Sequence, residues 1–397
     1  MIKSDIYYLK QSPMFQLSLT SKELFHSNFV AWVISNYKTE CSSLLTEYLN
    51  IPIDFSITEV KREEGKKDIT VYFNNQHGEL VKLIIENKVK GIPTYEQLLK
   101  YTTTAKNEFF MLLSLVTPIF AVNDSVYIKE FQKEWKCMDY KKLAEIFQKV
   151  VKQVEVKNVY HANVIKDYIM CATSLQKLSE MVSGDLREDI YNYYSTNTNI
   201  FSMFKEVRLH DFFLKLKHEM IAAEFFTAIK NEIPGIKLVS AKKWETSKAE
   251  EVFVGSGFTN GSGLSEVKYV IGEREDSPII LGVQIQGNQF RLFTESKKQI
   301  SLNIAKYLHN NNMWFDFSKA NQFSITEKQV YPKVGRKEKN FNTYSQTFYY
   351  KSVKLKECRI IDIVNLVTEY IVYIHEEKQN LLNIIDKVLC NPDLLNN

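Results

Sequence analysis

The order of apolar and polar positions is most regular between residues 55 and 116. Phe55–Arg62 sets apolar and polar side chains two apart, the period of a half-buried strand. Lys67–Phe73 and Leu80–Lys88 repeat that period on either side of the polar run Asn74-Asn-Gln-His-Gly78, which predicts an antiparallel hairpin centred near His77. Thr94–Asn107 reads as a helix, and Phe109–Val116 is apolar enough for a strand buried on both faces. An amphipathic helix precedes them over Ser21–Asn36, and two further helices follow over Tyr140–Val154 and His161–Val182. The order α-β-β-β-α-β predicts a mixed sheet with helices on its faces.

Beyond Ser183-Gly184-Asp185, the expected hinge, the pattern changes. A long helix is expected around Phe212–Ile229. Strands follow at Ile236–Val239, Val252–Val254, Val267–Ile271, Ile279–Gln286 and Phe290–Phe293, with helices again at Glu295–His309 and Ile360–Ile374. The expectation is an α/β domain over residues 1–184 and an α+β accessory domain over 185–397. Gly255-Ser-Gly257 through Gly263 resembles a phosphate cradle in composition, but Glu266–Ile271 after it reads as a strand. A phosphate loop needs a helix there, so a flexible hairpin loop is the expectation. Lys333–Lys339 with Phe341 and Tyr344 is the best basic patch carrying aromatics. It has two readings, a solvated loop or a nucleic-acid contact through phosphates and stacking.

Composition narrows this picture. The chain has 397 residues, a net charge of +4, and hydrophobic residues at 45%, enough for two or three cores. Five scattered cysteines form no metal-binding spacing and suit a reducing, cytoplasmic setting. No apolar run is long enough to span a bilayer, so no membrane is expected. With only seven arginines against a large excess of lysine, diffuse phosphate contacts are favoured over base reading. No Walker loop, His-Glu-x-x-His or Gly-x-Ser-x-Gly is present.

The chemistry lies in the hairpin. Asp68 and Glu86 are equally far from its centre and therefore face each other, and Lys88 returns to the same face two residues on. Opposed carboxylates at the end of an apolar strand repel unless a cation sits between them. Mg²⁺ takes such hard oxygen ligands, with waters and phosphate completing its shell. A neighbouring ammonium can orient an attacking water, or deprotonate it if its pKa is lowered. Glu-x-Lys recurs elsewhere, at Glu59, Glu134 and Glu266 among others, but only the copy at Glu86 ends an apolar run with an Asp opposite. Glu23 and Gln97 each have a second reading, since Thr20-x-x-Glu23 and Thr94-x-x-Gln97 are capping boxes. Tyr101 lies one turn beyond Gln97 on the same helix face.

Glu23-Leu-Phe-His26-Ser27 with Ala31-Trp32, Val60–Glu63, Asp68-Ile69, Ile85-Glu86-Asn87-Lys88 and Gln97-x-x-x-Tyr101 together resemble the PD-(D/E)XK nuclease superfamily. The resemblance is to the branch with Ile-Glu-Asn-Lys and Gln-x-x-x-Tyr motifs. It covers residues 20–120 and departs in having Lys67 where proline often precedes the aspartate. It implies a restriction-endonuclease-like core, Asp68, Glu86 and Glu23 as metal ligands, and Lys88, Gln97 and Tyr101 beside them in the catalytic set. It further implies Mg²⁺ with Mn²⁺ as a substitute, nucleic acid as partner with DNA favoured, and a setting such as defence against mobile elements. A silent nucleic-acid- or partner-binding module and an RNA-directed nuclease are the alternatives. A homodimer or a partner subunit is left open.

Overall fold

The structure is a computed structural model and describes residues 2–19, 22–52, 54–118, 120–182, 189–191, 199–240, 251–259, 261–274, 277–296, 300–330, 337–338 and 340–390. The chain divides into two compact units. One comprises residues 1–182 and 198–213, the other 183–197 and 214–397. The hinge expected at Ser183-Gly184-Asp185 lies outside the described residues. The segment 198–213, beyond that hinge in sequence, packs with the first unit.

The first unit opens with helices α1 (Ile2–Gln11), α2 (Pro13–Ser18), α3 (Lys22–Asn36) and α4 (Lys38–Leu49). Strands β1 (Ser56–Arg62), β2 (Ile69–Asn74) and β3 (Leu80–Lys88) follow, then α5 (Tyr95–Tyr101), β4 (Glu108–Ser114), β5 (Ser125–Ile128) and β6 (Lys133–Asp139). Helices α6 (Tyr140–Lys157), α7 (Val159–Val182) and α8 (Asn199–Glu206) complete it. The strands form one six-stranded mixed sheet in the order β1-β2-β3-β4-β6-β5. The β3–β4 and β4–β6 pairs are parallel and the rest antiparallel. This is a restriction-endonuclease-like α/β core.

β3 and β4 lie at the centre and are buried along most of their length, as expected for strands covered on both faces. α6 begins where Asp139 caps the Lys142 N–H at 2.6 Å. It buries Leu143, Ile146, Phe147, Val150, Val151 and Val154, one helical stripe. α5 is shorter than expected. Thr102 is extended (φ −78, ψ 141), its hydroxyl turns back to the Leu98 carbonyl at 2.7 Å, and it accepts the Trp135 indole N–H at 2.8 Å. Thr102, Thr103 and Thr104 are β-branched and poor helix formers, so the helix stops before them.

The second unit centres on a nine-stranded sheet. Its strands are β8 (Lys237–Ser240), β9 (Glu251–Thr259), β10 (Ser262–Arg274), β11 (Ser277–Gln286), β12 (Gln289–Glu295), β13 (Thr326–Val330), β14 (Lys337–Glu338), β15 (Phe341–Ser345) and β16 (Phe348–Leu355). A two-stranded pair, β7 (Ile190–Tyr191) with β17 (Cys358–Arg359), is separate. α9 (His210–Glu232), whose first residues belong to the first unit, packs on the sheet with α10 (Ile300–Asn310), α11 (Ser318–Gln322), α12 (Ile360–Glu376) and α13 (Lys378–Cys390) over one large apolar core. This is an α+β arrangement.

The Gly255–Gly263 stretch is not a long loop. β9 and β10 run through it, Ser262 pairs with Thr259, and Gly261 takes φ 73 at the turn. Gly255 serves the sheet: a side chain there would meet the Phe253 ring at 2.7 Å. Most of the basic patch at 333–339 lies outside the described residues. Phe341, expected as a stacking surface, is 1% exposed in the core.

Candidate active site

Four short stretches of the first unit bring the site together. The β2–β3 hairpin pairs Ile69 with Ile85 and Asn74 with Leu80, the register of a hairpin centred on His77. Asn75 holds its turn. The Asn75 Oδ1 accepts the His77 and Glu79 N–H groups at 3.0 and 2.9 Å, and Gly78 takes φ 78. Continuing that register by one step sets Asp68 opposite Glu86. Asp68 is preceded by a tight turn in which Glu63, Gly65 and Lys66 are all left-handed, and the Glu63 N–H returns to the Asp68 carbonyl at 3.2 Å.

Glu86 is 3% exposed. Its Oε1 accepts from Lys88 Nζ at 2.8 Å and from Gln97 Nε2 at 2.7 Å. Asp68 Oδ2 accepts the Asn87 N–H at 2.7 Å. Glu23, on α3, accepts the Gly91 N–H at 2.8 Å through Oε1. Gly91 has to be glycine for this approach, because a Cβ there would lie 2.8 Å from that oxygen and 3.1 Å from Lys88 Cδ. Gln97 keeps its capping geometry as well, its N–H reaching Thr94 Oγ1 at 3.3 Å. Thr20, the other capping residue expected, lies outside the described residues. Tyr101 packs against the cluster of Leu98, Phe110 and Trp135, with the Lys100 ammonium 6.0 Å from its ring.

The electrostatics follow from burial and from an excess of acid. Burial pushes Glu86 up to about 7, assisted by the charges of Asp68 and Glu23 and opposed by Lys88. Burial also raises Asp68, with Glu23 and Glu63 adding to it against the Asn87 N–H and Lys88. For Lys88, burial acts to lower the pKa, but the hydrogen bond to Glu86 and the charges of Glu86, Glu23 and Asp68 outweigh it and hold the group above the ordinary lysine value. Lys88 is therefore an ammonium, suited to orienting water and stabilising anionic charge. The water-deprotonating role considered from the sequence requires a lowered pKa.

Three carboxylates thus share a charged neighbourhood with one ammonium. Among the described residues, no three acidic, histidine or cysteine side chains are already close enough to hold a metal ion. The donor set nonetheless fits a hard divalent cation, since Mg²⁺ needs only one or two carboxylates from the protein, and Asp68 and Glu86 supply them with Glu23 adjacent.

Residues 14–170 match the family model described as the PD-(D/E)XK nuclease superfamily. The match covers less than half of the chain and lies wholly in the first unit. No curated protein and no solved structure matches the chain. Members of the superfamily are generally metal-dependent nucleases. No helix among the described residues is long and apolar enough to cross a membrane.

Residues whose part was not legible in the sequence are Gly91, Ser27, Asn87 and Tyr140. Gly91 carried a signal, a Gly-Ile-Pro run three residues beyond Lys88. Tyr140, at the start of α6 and remote in sequence, carried none.

Proposed function

We propose that the first unit hydrolyses phosphodiester bonds of nucleic acid, DNA in preference to RNA, with Mg²⁺ bound by Asp68 and Glu86 beside Glu23 and with Mn²⁺ able to replace it. One observation carries this reading. A buried Glu86, raised to about 7, sits among two further acids, with Lys88 opposing them among the described residues, an arrangement that a bound divalent cation completes. Such a cation supplies Lewis acidity and a bound water of lowered pKa.

The chain's own residues do the rest. Gln97 fixes the Glu86 carboxylate from α5 through Oε1. Lys88 Nζ donates to the attacking water or to a phosphoryl oxygen and stabilises charge as the water oxygen bonds to phosphorus and the P–O bond to the leaving oxygen breaks. The water's proton passes to solvent, and the leaving oxygen is protonated in turn. Lys61 and Arg62 line a cleft with Glu63 and Glu64 beside the β1–β2 turn and would give the substrate backbone a place to run.

The test is incubation of the protein with plasmid, linear duplex, single-stranded DNA and RNA, each with Mg²⁺, Mn²⁺ or EDTA. Metal-dependent cleavage of DNA is the expected outcome. Binding of DNA without cleavage in any metal would replace this reading with that of a silent module, and cleavage confined to RNA would reassign the substrate.

A further inference from the structure

The side chains that face a substrate are held by others that do not, and Asn87 is the most connected of these. It lies between Glu86 and Lys88 on β3, so strand alternation turns it to the opposite face of the sheet, where it is 0% exposed. Its main-chain N–H holds Asp68 at 2.7 Å. Its Nδ2 donates to the Glu23 carbonyl at 3.1 Å and to Ser27 Oγ at 3.0 Å. Ser27 Oγ itself donates to the Glu23 carbonyl at 2.9 Å. The Asn87 Oδ1 accepts from the Tyr140 hydroxyl at 2.6 Å.

One buried amide therefore joins the strand carrying Glu86 and Lys88, the helix carrying Glu23, and α6. Behind it the Tyr168 hydroxyl lies 2.9 Å from His26 Nδ1, and the His26 ring stands edge-on to Tyr140 at 5.4 Å. The His26, Ser27 and Asn87 of the sequence resemblance are thus neighbours in one buried network.

This matters because Glu23, Asp68 and Glu86 repel one another. Without a tie, the helix bearing Glu23 relaxes away from the strand and the negative charges spread apart. The Asn87 amide fastens α3 at the main chain of Glu23 itself, the point where that relaxation would begin.

We propose that Asn87, locked by Tyr140 and Ser27, is a positioning residue that sets how closely Glu23 approaches Asp68 and Glu86, and so sets the affinity of the site for its divalent cation. The inference rests on the reading above that these carboxylates hold that cation. Groups that orient metal ligands without touching the metal alter affinity by about 10–100-fold when removed.

The experiment uses the full chain with Tyr140→Phe, Ser27→Ala and Asn87→Ala. Mn²⁺ binding is titrated by calorimetry, thermal unfolding is followed in EDTA, and cleavage is measured against Mn²⁺ concentration. Tyr140→Phe and Ser27→Ala are expected to bind Mn²⁺ about 10-fold more weakly, to stay folded at the assay temperature in EDTA, and to recover most of the wild-type rate at saturating Mn²⁺. Asn87→Ala should show the largest loss of affinity; if it does not fold, the other two variants decide. Wild-type affinity in both Tyr140→Phe and Ser27→Ala, whatever their unfolding temperatures, would overturn the positioning role while leaving the nuclease reading intact. A wild-type protein that neither binds Mn²⁺ nor cuts nucleic acid would overturn the reading itself.

Discussion

Each unit contains a Glu-x-Lys on a buried strand: Glu86-Asn87-Lys88 on β3 and Glu266-Val267-Lys268 on β10. Locally the two are alike. Lys88 Nζ lies 2.8 Å from Glu86, and Lys268 Nζ lies 2.8 Å from Glu295 and 3.7 Å from Glu266. In both places burial would lower the lysine and neighbouring acids raise it.

The difference lies in the balance of charge. On β10, Gln284 donates to Glu266 at 3.0 Å and accepts from Arg291 at 2.9 Å. Among the described residues the two acids are met there by Lys268 and, through an amide, by Arg291. On β3, among the described residues, the charges of three acids are opposed by the Lys88 ammonium. The tripeptide pattern says nothing of function; the charge left over after pairing does. Buried ionic networks of the closed kind are structural, whereas an open one invites a cation.

The sharpest way to break this contrast is to remove an acid from each side. Asp68→Ala or Glu86→Ala should abolish metal-dependent cleavage, by about 10³-fold or more on the scale of lost electrostatic stabilisation. The fold should be kept, because one of several repelling charges has gone. Glu295→Ala should do the reverse, leaving Lys268 short of a partner and costing about 3–5 kcal/mol of stability with cleavage by the folded fraction unchanged. Cleavage assays beside denaturant unfolding check both, and full activity in either β3 variant would sink the site.

The lysines give the next largest effect. Lys88→Met should lower single-turnover cleavage by about 10²–10⁴-fold while Mn²⁺ still binds, because a protonated amine offers no lone pair to a metal. Lys268→Met should lower the melting temperature and leave the rate alone. If Lys88→Met instead loses Mn²⁺ affinity but turns over normally at saturating metal, Lys88 only braces the ligands.

How much of this could be read from the chain depended on the range of the forces involved. The Asn74–Gly78 turn and the period-2 runs beside it are local, so the hairpin register and the opposition of Asp68 to Glu86 were legible. The mixed sheet with flanking helices followed from element order. α4, with its Ser-Ser and two threonines, shows too weak an apolar stripe to be read as a helix; it is held instead from outside, Ser42 Oγ accepting the Ile57 N–H at 2.9 Å. β6 was hidden by the charges of Lys133-Glu-Trp-Lys, though Trp135 is wholly buried. Asn87 stood inside the recognised motif without a role, because its partners Ser27 and Tyr140 come from helices far away in sequence. Tyr101 shares a helix face with Gln97 by spacing alone. Its ring also packs on the apolar cluster, which spacing cannot reveal.

A pH effect of intermediate size tests the comparison through histidine, since each unit buries one. Burial pushes both His26 and His218 down to about 3. Their Nδ1 atoms meet the Tyr168 hydroxyl at 2.9 Å and Ser265 Oγ at 2.8 Å. The unfolded chain takes up these protons near pH 6.5, where the folded protein does not, so unfolding gains protons as pH falls. The stability contribution is complete above pH 6.5 and is lost on acidification, by about 2 kcal/mol for each histidine at pH 5. Melting curves between pH 7.5 and 5 should show this decline. His218→Phe or His26→Phe should each flatten part of it, and a decline that neither variant alters would refute the assignment.

The smallest effect concerns the substrate's path past the open network. A cleft of 460 Å³ between α3 and the β1–β2 turn is lined by Leu24, Asn28, Lys61, Arg62, Glu63 and Glu64, and the Glu63 N–H ties it to Asp68. Two basic residues line it, and they are not equivalent. Lys61 is engaged, 3.2 Å from Glu64 and 3.4 Å from Glu59, and the Tyr72 hydroxyl further satisfies Glu64. Arg62 is exposed and bonded to Asn28 Oδ1 through one nitrogen, which leaves the rest of its fork for a phosphate. Each phosphate contact contributes about 0.9 to the slope of log affinity against log salt on duplex DNA. Arg62→Ala should therefore raise KM severalfold, leave kcat and Mn²⁺ affinity unchanged, and reduce the salt slope by about 0.9. Lys61→Ala should change the slope less, because its charge is already spent on Glu64 and Glu59. Equal slopes in wild type and Arg62→Ala would show that the backbone runs elsewhere, and the cleft would lose its part in substrate binding.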